Sequence, residues 1–580
     1  MSRSAFKICI SAVCLVLATL QATHASPVIG ERSSPSCRVL PGDAAWPNQK
    51  VWDKLNQTVG GRLIRGAPLA QPCYTPDLDI STCTAIQNDW TALDPFLRDP
   101  VNVMSPYWMN DSCSPFLGPN GSCTLANLAS YAINMSCADD AIAGVAFAQN
   151  NNIRLTIKNT GHDFLGRSAG KGSLALWTHN MKQMSFVNYE SSQYTGPAFR
   201  VGAGITNAEL YAAAGAKGYR AVGGSCPTVG ATGGYAQGGG HGPLGAKYGL
   251  GSDQVLEWEL VTAAGKYIVA SPTQNSDLYW ALSGGGPGNL AVVLSMTVKV
   301  YKDGPIAGAS LSFANTNDSA YWKAVSAWLK HLLVLDKLQG FTTLWGLTAL
   351  GFEIEYATYP DANEQAMTAA LAPFVQQVKD LNLSLTTNSV SVHANFPAHY
   401  AAYATQSYDT NNSIGGRLIS RSVVQNDLPA LIDAFRNINI NSTNVGGSKI
   451  SGIAANVTHQ RVGNTATANS VLPAWRDSLF TMTIGIPLAQ DATWAAMQNG
   501  QRQLNAWQDL LRTVTPGGGT YMSEATYDNP NWKPDYFGAN YQRLLSIKNK
   551  YDPQRLFWVN TAVGSDDYWR PAVDGRLCRV

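Results

Sequence analysis

The chain has 580 residues, a formal net charge of +2 and 14 % charged residues, with glycine, tryptophan and tyrosine plentiful. That length exceeds one ordinary hydrophobic core, so two lobes are expected. The near-zero charge and the lack of any long Lys/Arg run exclude a nucleic acid or another polyanion as partner.

Residues 1–25 read as a signal peptide: Arg3 and Lys7 precede an apolar run from Ile8 to Leu20, and Thr23-His24-Ala25 supplies small residues for cleavage. The run is too short to span a membrane and no later apolar segment reaches that length. The mature protein is therefore expected in the secretory pathway, extracellular or vacuolar, without a membrane partner. N-x-S/T acceptors at Asn56, Asn110, Asn120, Asn134, Asn317, Asn382, Asn411, Asn441 and Asn456 fit that route and predict N-glycans. Cys9 and Cys14 fall in the leader, leaving Cys37, Cys73, Cys83, Cys113, Cys123, Cys137, Cys226 and Cys578. An oxidising compartment favours disulfides among them. Local pairs Cys73–Cys83 and Cys113–Cys123, with Cys578 reaching back to Cys37, are expected, although the sequence alone does not decide connectivity.

Residues 26–124 form a Cys-containing, weakly periodic extension expected to pack on the catalytic body. From there the pattern sharpens. Asp139 to Gln149 has apolar residues at helical spacing with Asp at its start, and the alternating strand from Ile153 to Asn159 runs straight into a loop, KNTGHDFLGRS, from Lys158 to Ser168. Further short strands follow between glycines, including Phe199 to Ile205 and a hairpin from Val255 to Ala270 turning at Ala264-Gly265. Between them lies the stretch Gly224 to Gly251, which sets Cys226 at the head of a glycine-dense loop. Residues 125–305 read as an α+β lobe ending at Asp303-Gly304-Pro305.

Residues 306–520 mix helix candidates, Ala320 to Leu335 and Glu364 to Leu381, with strands over 342–359, 388–396 and 478–488. That alternation predicts an antiparallel sheet backed by helices. Residues 521–565 return to the first lobe through a basic helix from Tyr541 stopped by Pro553, and 566–580 form a tail.

Glycines at the density of the two loops let backbone N–H groups approach an anion and adopt positive φ. Both loops therefore read as a cradle for the pyrophosphate of a large cofactor, tethered through His162 and Cys226. Neither GGGHGPLG nor SGGGPGNL sits in an early βαβ unit with an acid about twenty residues on, which rejects nicotinamide binding. No His/Cys/Asp group has metal-ligand spacing, and no Gly-x-Ser-x-Gly elbow supports a hydrolase.

The segments KNTGHDFLGRS, CPTVGATGGYAQGGGHGPLGAKYGL, DLYWALSGGGPGNLAVVLSMTVKVY and YFGANYQRLLSIKNKYDPQRLF resemble the berberine-bridge-enzyme-like branch of the vanillyl-alcohol-oxidase flavoproteins. NTGHDFLGRS followed by LALWTHNMK is similar to the fungal isoamyl-alcohol-oxidase-like members. The resemblance implies a two-lobed α+β architecture, with a PCMH-type FAD-binding domain at 125–305, a substrate domain at 306–520 and a BBE-like segment at 521–565. It also implies FAD held bicovalently, His162 at the flavin 8α carbon and Cys226 as a thioether to C6. Lys158, Asn159, Thr160, Gly161, Asp163, Gly166, Arg167, Ser168, Thr228, Val229, Gly230, Gly233, Gly234 and Gly238 would line the cradle, with Tyr536 and Asn540 over the flavin ring. Val229 takes a position near the oxygen-reactive carbon, where a small side chain implies an oxidase that returns electrons to O2 as H2O2.

Oxidation of a C–H beside O–H or N–H needs a proton acceptor within hydrogen-bond reach. Glu524 is the candidate base and Tyr527 the candidate substrate contact, although SEATYDNPNW departs from the Tyr/Asn-rich wording of the family. His241 is read as lining the cradle, and His393 and His459 as surface or core residues. The implied function is oxidation of an alcohol or secondary-metabolite intermediate. A carbohydrate oxidase and a non-enzymatic, flavin-retaining glycoprotein are the alternatives.

Overall fold

The computed structural model of the chain describes residues 37–109, 112–403, 412–442 and 445–580. The expected leader with Arg3, Lys7, Cys9 and Cys14 lies outside the described residues, as do the acceptors Asn110 and Asn411.

The first lobe is built on two sheets. The smaller runs Leu63–Arg65, Tyr131–Asn134, Leu174–Trp177, Leu155–Lys158 in spatial order, its last three strands parallel. The expected helix packs on it as Ala138–Asn150. Asp140 Oδ2 caps its start by accepting from the N–H groups of Ser136 at 2.8 Å and Cys137 at 3.3 Å. Ala141, Gly144, Val145 and Ala148 form the buried face, and a Cβ on Gly144 would lie 2.5 Å from Leu176 Cδ2. The parallel strands all deliver the chain to their carboxyl ends, where open α/β sheets bind ligands. The larger sheet is antiparallel, with Met184–Glu190, Thr195–Gly202, Val292–Lys302, Val255–Val261 and Tyr267–Ala270 in order, and Tyr219–Ala221 pairing the far end of Val292–Lys302. Its hairpin closes at Gly265, which takes φ +70°.

The second lobe is one seven-stranded antiparallel sheet. Its order is Leu385–His393, Ile306–Ala314, Gly351–Pro360, Thr342–Leu347, Lys449–Ala455, Ser478–Pro487, Asn412–Ser420. The apolar stretch over 342–359 forms two strands rather than one. Thr348 N–H donates to Gly351 O at 3.0 Å and Thr348 Oγ1 accepts from Leu350 N–H at 3.1 Å, making a tight turn from residues with no turn signature of their own. Helices Asp318–Leu335, Glu364–Asp380, Leu428–Ile440 and Trp494–Val514 share a core with this sheet that contains Trp328, Trp345, Phe352, Phe374, Phe480 and Trp507. Period-2 alternation then leaves the other face free to meet the first lobe.

The Cys-containing extension forms its own small core, with Trp90, Phe96, Leu97, Val103 and Met104 against Leu128, Ala132 and Ala175. The cysteines pair Cys37–Cys578, Cys73–Cys83 and Cys113–Cys123, leaving Cys137 and Cys226 outside the disulfides. Such bonds persist in oxidising compartments, in keeping with a secretory-pathway protein. Among the described residues no helix is long and apolar enough to cross a membrane. Of the described glycan acceptors, Asn120, Asn317, Asn382 and Asn441 are exposed, whereas the Asn456 amide is engaged with Asp336 O at 3.1 Å and Oδ2 at 3.2 Å.

Candidate active site

A cavity of about 780 Å³ lies between the two lobes, within the roughly 300–1,000 Å³ typical of ligand sites. Strand alternation at Leu155–Lys158 decides what enters it. Ile157 faces the cavity and Lys158 turns away. The Lys158 ammonium instead donates to Phe96 O at 3.0 Å and Asp99 O at 2.7 Å, anchoring the extension beneath the loop. Burial pushes its pKa down to about 8. Gly161 then takes φ +93° and accepts from Met104 N–H at 3.0 Å. This turn presents His162 to the cavity. Burial, then the charge of Lys158, push the His162 imidazole down to about 4, so it is neutral at pH 7.

Asp163 closes the loop by accepting from the N–H groups of Ser168 at 2.6 Å and Leu165 at 3.3 Å. Arg167 donates to Thr561 O at 2.9 Å and Asn560 O at 3.2 Å, tying the loop to the C-terminal segment. Asn159, Thr160, Asp163, Arg167 and Ser168 all reach the cavity. Gly166 does not. It sits under Trp108, whose ring would lie 2.5 Å from an added Cβ.

Thr228 connects the two loops. Its Oγ1 lies 2.8 Å from His162 Nε2 and 3.5 Å from Cys226 Sγ, which puts both expected attachment residues on one wall. Val229, Gly230, Gly233 and Gly234 continue that wall. Gly230 is closely packed, since a Cβ there would stand 2.0 Å from Asn159 Oδ1. Gly238 lies behind the wall, where a Cβ would meet Ser523 Oγ at 2.6 Å.

The C-terminal segment contributes the turn Met522–Glu524, and the Glu524 carboxylate enters the cavity. His241 Nε2 lies 2.9 Å from Glu524 Oε1, and its ring packs edge-on against Tyr521 with centroids 5.1 Å apart. His241 therefore does more than line the cradle, as the sequence reading had it. A lone His in a glycine run gave no signal of a partner 283 residues away.

Three expected site residues point elsewhere. The Tyr527 hydroxyl bonds to the Tyr107 hydroxyl, its ring packing on Trp108 at 4.7 Å. Tyr536 donates to Thr526 O at 2.6 Å. Asn540 donates to Ser470 O at 3.2 Å and Val471 O at 3.1 Å.

Residues 129–271 match the family model described as FAD binding domain, and residues 520–564 match berberine and berberine like. The VAO-type flavoprotein oxidase VAO615 of Thermothelomyces thermophilus is 41 % identical over 94 % of this chain and 96 % of that protein. The crystal structure of VAO-type flavoprotein MtVAO615 from Myceliophthora thermophila C1 superposes with a TM-score of 0.88 at 39 % identity, over 94 % of this chain and 100 % of that one. This chain belongs to the VAO-type flavoproteins, in their berberine-bridge-like branch. It is an FAD-linked oxidoreductase acting on a small molecule. A more distant neighbour, sharing the fold at 18 % identity with a TM-score of 0.61 over 75 % of this chain and 92 % of its own, is the glucooligosaccharide oxidase of Acremonium strictum, described with a 6-S-cysteinyl, 8α-N1-histidyl FAD.

The cavity of this flavoprotein fits FAD on its own geometry. Backbone of Gly161, Gly230, Gly233, Gly234 and Gly288 forms its wall. Asn159 Oδ1, the Tyr235 hydroxyl and His241 Nδ1 are buried there without a protein hydrogen-bond partner, polar groups of the kind a dinucleotide satisfies. Among the described residues no group of His, Cys, Asp and Glu could hold a metal.

The opposite wall is the free face of the seven-stranded sheet. Leu344, Ile414, Ser451, Ile453, Thr481 and Thr483 point into the cavity from four strands. None of the described cavity-lining residues between 306 and 520 is aromatic. At the outer end Lys449 is held between Glu355 Oε1 at 2.8 Å and Glu353 Oε1 at 2.9 Å. Burial opposes its charge, but the two carboxylates raise its pKa.

Proposed function

We propose that this flavoprotein is an oxidase of a compact, neutral alcohol or hydroxylated secondary-metabolite intermediate, with FAD joined to His162 and Cys226. The observation that carries the reading is the meeting of His162, Cys226 and the His241–Glu524 pair in one cavity. The flavin supplies the hydride acceptor, and the chain supplies position and the proton acceptor. The Glu524 carboxylate takes the hydroxyl proton of a substrate held against the sheet face, while His241 fixes its direction. Val229 leaves room on the first wall for O2, which departs as H2O2.

The sheet wall supports the substrate class. Alternating Thr, Ser and aliphatic side chains suit a small hydroxylated molecule. The ammonium of Lys449 is matched by two carboxylates, so an anionic substrate finds no open cation among the described residues of that wall. A secreted or vacuolar setting with N-glycans at the exposed acceptors completes the reading.

The test is a peroxide-coupled assay of the purified holoenzyme with aliphatic and aromatic alcohols, their carboxylic acids and a series of oligosaccharides. Turnover of neutral alcohols supports the proposal. Turnover confined to oligosaccharides would replace it with carbohydrate oxidation. No flavin bleaching with any substrate, despite full FAD content, would favour a non-enzymatic flavin-retaining glycoprotein.

A further inference from the structure

The loop that carries Cys226 is held by side chains of both lobes. Three consecutive carbonyls each accept a hydrogen bond. Tyr211 OH donates to Gly224 O at 2.8 Å, Tyr400 OH to Ser225 O at 2.7 Å and Asn207 Nδ2 to Cys226 O at 3.3 Å. A fourth contact joins the Tyr356 hydroxyl to Ser225 Oγ at 2.6 Å. Asn207 and Tyr211 stand on the first-lobe helix Asn207–Gly215. Tyr356 stands on strand Gly351–Pro360 and Tyr400 on helix Phe396–Tyr403, both in the second lobe.

The His162 loop is anchored differently. Its described contacts include Phe96, Asp99 and Met104 of the extension, Thr228, and the C-terminal Asn560 and Thr561.

We propose that Tyr356 and Tyr400 are positioning residues for Cys226, so that the cysteinyl bond to the flavin forms once the substrate lobe has docked. The inference rests on the bicovalent reading above. Forming the thioether replaces the S–H of Cys226 and one ring C–H of the flavin with a C–S bond. The two electrons released pass to dioxygen, which leaves with the two protons as hydrogen peroxide. Such a step requires the sulfur within about 3–3.5 Å of the ring carbon, a distance that a loosened loop does not keep. Burial raises the pKa of both tyrosines, so each hydroxyl stays protonated and able to donate at neutral pH.

The experiment compares the full-length wild type with Tyr356→Phe, Tyr400→Phe, the double variant and Ser225→Ala. Each protein is denatured and alkylated with iodoacetamide, and the His162 and Cys226 peptides are then read by mass. Phenylalanine keeps ring packing, such as that of Tyr400 on Tyr211 at 4.7 Å, and removes only the donor. The inference predicts Cys226 flavin-linked in the wild type, alkylated in most molecules of the double variant, and partly alkylated in the single variants. The His162 peptide stays flavin-linked throughout. Ser225→Ala reproduces Tyr356→Phe from the loop side, which keeps the test open if the double variant does not fold. A double variant with Cys226 as fully flavin-linked as the wild type overturns the positioning role alone, and loss of both bonds together overturns it as a general collapse of the site. Free, fully alkylated Cys226 in the wild type overturns the bicovalent reading and this inference with it.

Discussion

The two walls of the cavity are made in opposite ways. The first is backbone: glycine-dense loops at the ends of strands, with His162 and Cys226 set into them. The second is side chain: single residues from several strands of one sheet, each selected by the pleat. A backbone wall is intolerant where it is closely packed: an added Cβ lies 2.0 Å from Asn159 Oδ1 at Gly230 and 3.0 Å from it at Gly233. A side-chain wall on a sheet can change its lining residues without changing the fold. The first wall should therefore govern whether flavin is held, and the second which substrate is taken.

The sharpest break is at Gly230. A Cβ there lies 2.0 Å from Asn159 Oδ1, and Gly230→Val is expected to cost about 1–3 kcal/mol in overpacking and to abolish FAD retention, read by flavin absorbance and thermal unfolding. Next in size is Glu524→Gln, expected to lower kcat by roughly 10²- to 10⁴-fold as a lost general base while leaving flavin content unchanged. His241→Gln should preserve FAD and lower kcat by less than Glu524→Gln, since it removes the partner 2.9 Å from that carboxylate and leaves the carboxylate itself. Thr481→Val, on the sheet wall, should move kcat/KM by at most about tenfold, the worth of one hydrogen bond, and leave flavin attachment intact. If Thr481→Val strips the flavin, or Gly230→Val alters only substrate preference, the division between the walls fails.

A separate effect concerns acid. His399 stands on helix Phe396–Tyr403 with Nε2 2.8 Å from Thr358 Oγ1, and burial, then the nearby His393, push its pKa down to about 3. The folded state keeps it neutral while the unfolded chain protonates it below about pH 6.5. Its share of stability is thus complete above pH 6.5 and is lost as the pH falls from there towards about 3, at no more than about 1.4 kcal/mol per unit. The Tm of His399→Gln should accordingly fall less than that of the wild type between pH 7 and pH 5.

The same division explains what the sequence made legible. A backbone wall needs its glycines close together in sequence, so NTGHDFLGRS and the Cys226 loop stand out together and point to a large phosphate-bearing cofactor, which the family resemblance makes a flavin. The sheet wall is assembled at period 2 from strands up to 139 positions apart, Leu344 to Thr483, and no local pattern announces it. Side-chain direction was the other blind point. Lys158 lay in the right motif but on the wrong face of its strand. Tyr527 was read without Tyr107, because the extension that supplies its partner is only weakly periodic. Tyr536 and Asn540 turned to carbonyls at Thr526, Ser470 and Val471 that only the folded chain brings near. Tyr356 and Tyr400, 131 and 175 residues from the loop they hold, left no local trace.

The most direct test of the central claim is the visible spectrum and intact mass of the mature protein before and after acid precipitation, beside His162→Ala and Cys226→Ala. Yellow colour that stays with the precipitate and a mass increment of one FAD are expected, kept in each single variant and lost in the double. Colour that passes to the supernatant from the wild type would show a flavin bound without either bond and would contradict the account.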